Sequence, residues 1–79
     1  MSPTIFRHKG YKFFFFSREE SRMHVHVLCA DGEAKFWLEP TISLANHHRL
    51  KTGALSEIEN IVEERFDEIC KAWKKHFRS

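Results

Sequence analysis

The segment from Met23 to Glu39 constrains the fold more than any other part of the chain. It reads MHVHVLCADGEAKFWLE, with apolar and polar residues alternating on both sides of Asp31-Gly32. Asp-Gly between alternating segments is the strongest short-range signal of a β-hairpin. A two-residue turn at this point predicts three facing pairs, namely Cys29 with Ala34, Val27 with Phe36 and Val25 with Leu38.

The two faces of this predicted hairpin differ in character, because side chains alternate across a strand. The six residues of the facing pairs form an apolar face that we expect to be buried. The other face carries two histidines, a tryptophan and both signs of charge, on His24, His26, Leu28, Lys35, Trp37 and Glu39. We name this second surface the histidine face and expect function there.

A first hairpin is predicted around Lys9-Gly10, with strands over about residues 4–8 and 11–17. A two-residue turn pairs Phe6 with Phe13 and Ile5 with Phe14. Both faces of this hairpin are then apolar, and such a strand pair is usually covered on both sides. The chain's own helix can supply one cover, and a loop, a second subunit or a partner must supply the other. A homodimer or a hetero-complex is therefore expected.

The C-terminal third has the pattern of one helix over about residues 53–77, with Thr52 as its N-cap. Apolar residues recur at helical spacing, at Leu55, Ile58, Val62, Phe66, Ile69 and Trp73. Such a helix is about 38 Å long, whereas a seven-residue strand is only about 23 Å. Trp73 and Phe77 should therefore extend past the sheet and need cover from a loop or another chain.

These patterns predict one α+β domain over residues 1–79, a four-stranded antiparallel meander packed against one long helix. The second hairpin supplies strands over about 23–30 and 33–39. Residues 41–50 are ambiguous, and 42–45 can form a helical turn. Two cysteines do not make a disulfide framework, and no signal peptide or membrane-spanning run is visible. These features favour the cytoplasm.

Several motifs together resemble one family. They are Pro3-Thr-Ile-Phe, Gly10-Tyr-Lys-Phe-Phe-Phe, His24-Val-His-Val, Gly32-Glu-Ala-Lys-Phe-Trp-Leu-Glu-Pro40, Ile58-Glu-x-Ile-Val62 and the terminal Trp73 with His76-Phe77. In this order and spacing they are similar to the small bacterial proteins grouped as domain of unknown function 4160. The resemblance implies a small cytosolic prokaryotic protein whose gene often neighbours a second small gene, as in type II toxin–antitoxin modules. One difference is Met23, where members often have proline.

His24 and His26 are the chemically most suggestive pair. On one strand face their imidazoles lie roughly 6–7 Å apart, a spacing suited to metal ligands, and Glu39 or His47-His48 can complete such a site. Alternatively, both are half-exposed sheet residues that pack on Trp37, or they bind nucleic acid or a partner protein. The chain has no four-ligand spacing, so no metal or other cofactor is expected.

A metal-independent ribonuclease is another interpretation, because it needs a general base, a general acid and a cation near the phosphate. His24 and His26 can serve as base and acid. Cations available for the phosphate are Arg7, Lys12, Lys35 and Arg49. Trp37 and Tyr11 can stack an unpaired base. The net charge of +2 is compatible with nucleic acid.

Three functions therefore stay open. The leading one is a toxin-like component of a two-gene module that binds a cognate small protein and acts on RNA. The second is a non-catalytic module that binds protein or nucleic acid, such as an antitoxin or adaptor. The third is a metal-binding protein.

Overall fold

The computed structural model describes residues 4–15 and 22–77, which form one antiparallel sheet and two helices. The strands are β1 (Thr4–His8), β2 (Tyr11–Phe14), β3 (His24–Leu28), β4 (Glu33–Trp37) and β5 (Ser43–His48), and the helices are α1 (Thr52–Glu64) and α2 (Phe66–Phe77). The strands neighbour one another in chain order, so the sheet is a meander. The α+β class and the meander are confirmed. The described residues have five strands and two helices, where four strands and one helix were predicted.

The first hairpin turns at Lys9-Gly10 as predicted. Both residues have positive φ, 52° and 81°, as a type I′ turn requires. Phe6 lies opposite Phe13, as expected, but Thr4 rather than Ile5 lies opposite Phe14. An irregularity between Thr4 and Phe6 leaves Ile5 as an extra residue, as in a β-bulge. The predicted extension of β2 to residue 17 lies partly outside the described residues.

The second hairpin has the predicted faces but a different register. Val25 lies opposite Phe36 and Val27 opposite Ala34, so all three facing pairs predicted from Asp31-Gly32 are wrong. A type I′ turn needs positive φ at both central residues, and neither Asp31 nor Gly32 has it. The loop instead spans 29–32, where the Cys29 N–H donates to the Gly32 carbonyl over 2.9 Å. The shift is two residues, which leaves every side chain on its predicted face.

Residues 43–48 form the edge strand β5, so the predicted helical turn at 42–45 is wrong. β5 pairs antiparallel with β4, and its backbone satisfies hydrogen-bonding groups that β4 would otherwise expose. The register shifts between Lys35 and Phe36, which lie opposite Asn46 and Leu44. Ala45 is therefore the extra residue of a bulge. The alternation of apolar and polar residues does not predict β5, because most of its side chains are exposed and the strand has no apolar face.

Arg65 separates the two helices where one helix was expected. Its backbone is not helical, and its guanidinium lies over the Phe6 ring, 4.4 Å from the centroid. The same guanidinium pairs with Glu68 over 3.6 Å. At the start of α1, Lys51 rather than Thr52 is the N-cap, and no side chain caps the helix there. The junction is therefore held to the sheet by a cation resting on an aromatic ring.

The helices cover one face of the sheet and form the core with it. The largest fully buried apolar side chains are Phe13, Phe15, Val25, Val27, Phe36, Leu38, Ile58, Val62 and Ile69. This agrees with both the predicted apolar strand face and the helical stripe.

Internal contacts replace the outside cover expected at two places. Trp73 and Phe77 pack on Phe15, at ring-centroid distances of 5.3 and 5.9 Å, so the end of the helix is not left beyond the sheet. Phe14 is only 8% exposed in the single chain. The sheet therefore does not require a second subunit to bury Phe14, and the oligomeric state stays a prediction. Within the described ranges, neither helix is long and apolar enough to span a membrane.

Candidate functional site

The histidine face is the side of the sheet opposite the helices. The strand registers arrange it in three rows: Lys12, Leu28, Glu33 and His48; Phe14, His26, Lys35 and Asn46; and His24, Trp37 and Ser43. Burial changes along the face, since Phe14 and His24 are buried whereas Glu33, Asn46 and His48 are exposed. The β4–β5 side of the histidine face is thus more accessible to solvent than the positions of Phe14 and His24.

His24 is completely buried, which contradicts the expectation of a half-exposed imidazole. Its ring lies edge-on to Trp37 and to Trp73, at centroid distances of 5.8 and 5.2 Å. Its Nδ1 lies 2.6 Å from the carbonyl oxygen of Arg22. A carbonyl only accepts, so Nδ1 carries the proton and donates it. Enclosed in this way, His24 has no solvent-exposed surface. This burial does not support the predicted His24–His26 acid–base pair, which stays a prediction.

His26 is half-buried and held by its neighbours. Its ring stacks on Phe14 with 5.6 Å between centroids, and His24 contacts it edge-on at 5.1 Å. Lys35 lies directly opposite on β4. Packing on two sides limits the rotamers of the imidazole, which is the preorganisation that a functional side chain needs.

A pocket of ≈ 420 Å³ opens beside His26 between β3, β4 and β5. Its polar lining on the histidine face consists of His26, Glu33, Lys35, Asn46 and His48. His47 also borders it, but the register places His47 opposite Ala34, on the helix side of the sheet. The pocket thus joins four of the predicted site residues, namely His26, Lys35, His47 and His48. The sequence had assigned only His26 and Lys35 to one surface.

Trp37 is flanked by two cations. The Lys35 ammonium lies 4.5 Å and the Arg22 guanidinium 4.1 Å from the indole ring. A third cation, that of Lys12, lies 5.3 Å from the Phe14 ring on the same face. Aromatic rings beside cations are the elements with which proteins bind single-stranded nucleic acids.

Two predicted binding residues, Tyr11 and Glu39, make hydrogen bonds within the fold. Tyr11 lies in the core on the helix side, and its hydroxyl donates to Glu57 over 2.8 Å. That hydrogen bond, together with burial and the charge of Glu57, raises the pKa of Tyr11 to about 12. Glu39 is not opposite His24, since Trp37 occupies that position. Its carboxylate accepts a hydrogen bond of 3.0 Å from the Met23 N–H, which a proline at that position would lack.

The remaining predicted cations lie away from the pocket. Arg7 is exposed on β1 opposite Lys12, two strands from β3. Arg49 lines a second cavity of ≈ 560 Å³ with Asp31 and Lys51, near the start of α1. Of the four cations proposed for a phosphate, only Lys35 borders the first pocket.

Comparison with known families settles the relationship that the motifs suggested. The profile of the family described as Domain of unknown function (DUF4160) matches residues 10–74. The chain belongs to the DUF4160 family. Searches among curated proteins and among solved structures found no match. In this DUF4160 protein the matched range includes every residue that lines the pocket.

The metal-binding interpretation requires a cluster of ligand side chains, and the described residues of this DUF4160 protein contain none. Across residues 4–15 and 22–77, no three histidine, cysteine or acidic side chains are grouped to hold a metal ion. The absence of a native metal stays a prediction to be tested by elemental analysis. Cys70 is partly buried, and that burial raises the pKa of its thiol, which disfavours the reactive thiolate.

Sequence reasoning missed Asn46 and Glu33 in the pocket and Arg22 beside Trp37. Asn46 was missed because β5 was not predicted, so no residue of 43–48 had a place on a face. Glu33, Lys35 and Trp37 are alternate residues of one strand, so their side chains lie on the same face. This alternation was visible in the sequence. Arg22 precedes β3, and strand alternation gives no direction for a residue outside the strand.

Proposed function

We propose that this DUF4160 protein is the toxin-like component of a two-gene prokaryotic module and that it binds single-stranded RNA along the histidine face. The observation that carries the proposal is the pairing of two cations with a half-buried aromatic ring on that face, at Trp37. The resemblance to module-encoded DUF4160 proteins supports the biological setting, with action in the cytoplasm.

The physical argument for RNA rests on two complementary contacts. Unpaired bases stack on aromatic side chains, at about 1–3 kcal/mol per base. Phosphates are drawn to Lys and Arg, and this attraction weakens as the salt concentration rises, because the release of condensed counterions then gains less entropy. Trp37 is half-buried, and Lys35 and Arg22 lie within 5 Å of its ring, so one site offers both contacts.

Binding should be measured by fluorescence anisotropy with a short labelled single-stranded RNA and the purified full chain. We expect Trp37→Ala to weaken binding by about 5- to 150-fold, the equivalent of one stacked base. Lys35→Ala should also weaken it and reduce its dependence on salt. Lys71→Ala is the matched control, because it removes an exposed cation from α2. An equal loss of RNA affinity in all three variants, with unchanged circular dichroism spectra, would contradict the proposed site and indicate nonspecific charge attraction.

The module itself is tested by expression. Expressing this chain alone should arrest growth, and co-expressing its genomic neighbour should restore growth. We propose that the restoring partner is a cognate small protein, and co-purification of the two products tests this directly. Arrest by the neighbour, relieved by this chain, would instead assign the antitoxin role.

A non-catalytic adaptor is the second candidate, and the edge strand β5 favours it. Most β5 side chains are exposed, including Leu44 at 41%. An exposed edge can pair with a strand of another protein. Leu44→Lys, which adds a charge to this edge, should abolish partner capture and leave RNA binding intact if β5 holds the cognate protein.

A further inference from the structure

We infer that the pocket beside His26 cleaves RNA by metal-independent transesterification, with His26 as general base and His48 as general acid. The inference rests on the proposed binding of RNA to the histidine face and adds an activity to it. It replaces the pair suggested by sequence, since His24 is enclosed and His48 borders the same pocket as His26.

The strand register places the required groups around one point. Lys35, on β4, lies between His26 on β3 and Asn46 on β5. Two residues further along each strand, Glu33 lies between Leu28 and His48. The pocket is therefore bordered by an imidazole on each side strand and an ammonium on the central one. We place the phosphodiester between the two histidines.

The two imidazoles have different neighbours on β4. His26 lies opposite the cation Lys35, and His48 lies opposite the carboxylate of Glu33. General acid–base catalysis needs one group that accepts a proton and one that donates it, and we assign these roles to His26 and His48.

His24 is a positioning residue in this scheme. Its Nδ1–H is held by the Arg22 carbonyl, and its ring abuts that of His26 with 5.1 Å between centroids. Phe14 holds the same imidazole from the stacked side. The base is thereby oriented before substrate binds, which reduces the reorganisation needed during the reaction.

The reaction balances without a metal or a second reagent. His26 removes the proton from a ribose 2′-hydroxyl, and that oxygen attacks the adjacent phosphorus. The O2′–P bond forms and the P–O5′ bond breaks, with its electron pair remaining on O5′. His48 gives its proton to O5′, leaving a 2′,3′-cyclic phosphate and a 5′-hydroxyl. Lys35 and the Asn46 amide stabilise the charge that develops on the non-bridging oxygens.

The test incubates the purified full chain with a labelled single-stranded RNA in EDTA and identifies the products by mass spectrometry. Wild type should release a 2′,3′-cyclic phosphate, and RNA with 2′-deoxy substitutions should stay intact. His26→Asn and His48→Asn should each reduce the cleavage rate on the order of 100-fold or more, the usual share of general acid–base catalysis. Both variants should still bind the RNA. His8→Asn, on β1, is the matched control and should cleave at the wild-type rate.

The outcomes separate this inference from the proposed function. RNA that binds to wild type but stays intact overturns the inference and leaves the binding function standing. RNA that does not bind overturns both. Cleavage that EDTA abolishes, or that both histidine variants retain, also overturns the inference. Should His26→Asn unfold, His48→Asn carries the test, because His48 is exposed on the edge strand.

Discussion

The imidazole of His24 lies against the indole of Trp73, with 5.2 Å between the ring centroids and 65° between the ring planes. The first residue of β3 is thus packed against a residue of α2. This contact joins the start of the histidine face to the helix layer. It also explains why two histidines separated by one residue have different environments.

His24→Ala should destabilise the fold far more than His26→Ala. The first substitution removes a fully buried ring and its hydrogen bond to Arg22, which we expect to cost about 2–4 kcal/mol. The second removes a half-buried ring and should cost about 1 kcal/mol or less, while weakening RNA binding or cleavage. Urea unfolding followed by circular dichroism compares them. Equal losses of stability would assign His26 a structural role too.

Val27→Ala should have the opposite profile to His26→Ala. Val27 is 1% exposed and opposite Ala34, so truncation removes buried methyl groups and should cost about 1–3 kcal/mol. RNA binding per folded molecule should be unchanged. The same unfolding and anisotropy measurements apply. A loss of affinity in fully folded Val27→Ala would show that the two faces are not functionally separate.

Gly32→Ala should destabilise the sheet, while Gly53→Ala should not. A Cβ on Gly32 would collide with the backbone carbonyl of His48, next to Arg49. Moving β5 aside to make room should cost on the order of 2 kcal/mol. Gly53 has open space in the first turn of α1, where alanine is the better helix former by up to about 1 kcal/mol. Urea midpoints of the two variants should move in opposite directions, and equal midpoints would contradict the close contact between the loop and β5.

Tyr11 makes stability depend on pH in the alkaline range. Its pKa rises on folding to about 12 from an ordinary value of 10.0, because Glu57 accepts its hydrogen bond. The contribution of a group with a raised pKa is complete below pH 10.0 and is lost as pH rises through about 12. Tyr11→Phe should lower the free energy of unfolding by about 1 kcal/mol at neutral pH. The variant should then lose less stability than the wild type between pH 10.0 and about 12.

The absorbance of tyrosinate gives an independent measurement, because Tyr11 is the single tyrosine of the chain. Glu57→Gln keeps an acceptor and removes the charge, so the midpoint should move towards the ordinary value. A midpoint near 10.0 in the wild type would contradict the hydrogen bond between Tyr11 and Glu57.

The sequence pattern predicted the parts of this fold that follow from the alternation of side chains along a strand and from the spacing of apolar residues along a helix. The buried face of Val25 and Val27 and the stripe through Ile58, Val62 and Ile69 follow from alternation and helical spacing. The hairpin register did not follow, because Asp31-Gly32 has the composition of a type I′ turn without its backbone angles. Gly32 instead serves a close approach to β5, which depends on a strand far along the chain.

The residue types on the histidine face were predictable from the sequence, but their arrangement in space was only partly predictable. His26, Lys35 and Trp37 were assigned to one surface from the sequence, and the registers agree. The enclosure of His24 depends on Trp73, which is distant in the chain, and no local pattern encodes that contact. The hydrogen bond of Tyr11, which was proposed to stack a base, was not predicted because its partner, Glu57, also lies far away, on α1.

The extra residue in β5 determines which of two adjacent histidines serves the pocket. Because Ala45 has no counterpart on β4, Asn46 and His48 share a side with Lys35 and Glu33. An uninterrupted ladder continuing from Leu44 opposite Phe36 would place His47 there and turn His48 away. His47 and His48 are therefore not interchangeable, although they are adjacent residues of the same type. The unpaired residue Ala45 determines that His48, and not His47, lies on the histidine face.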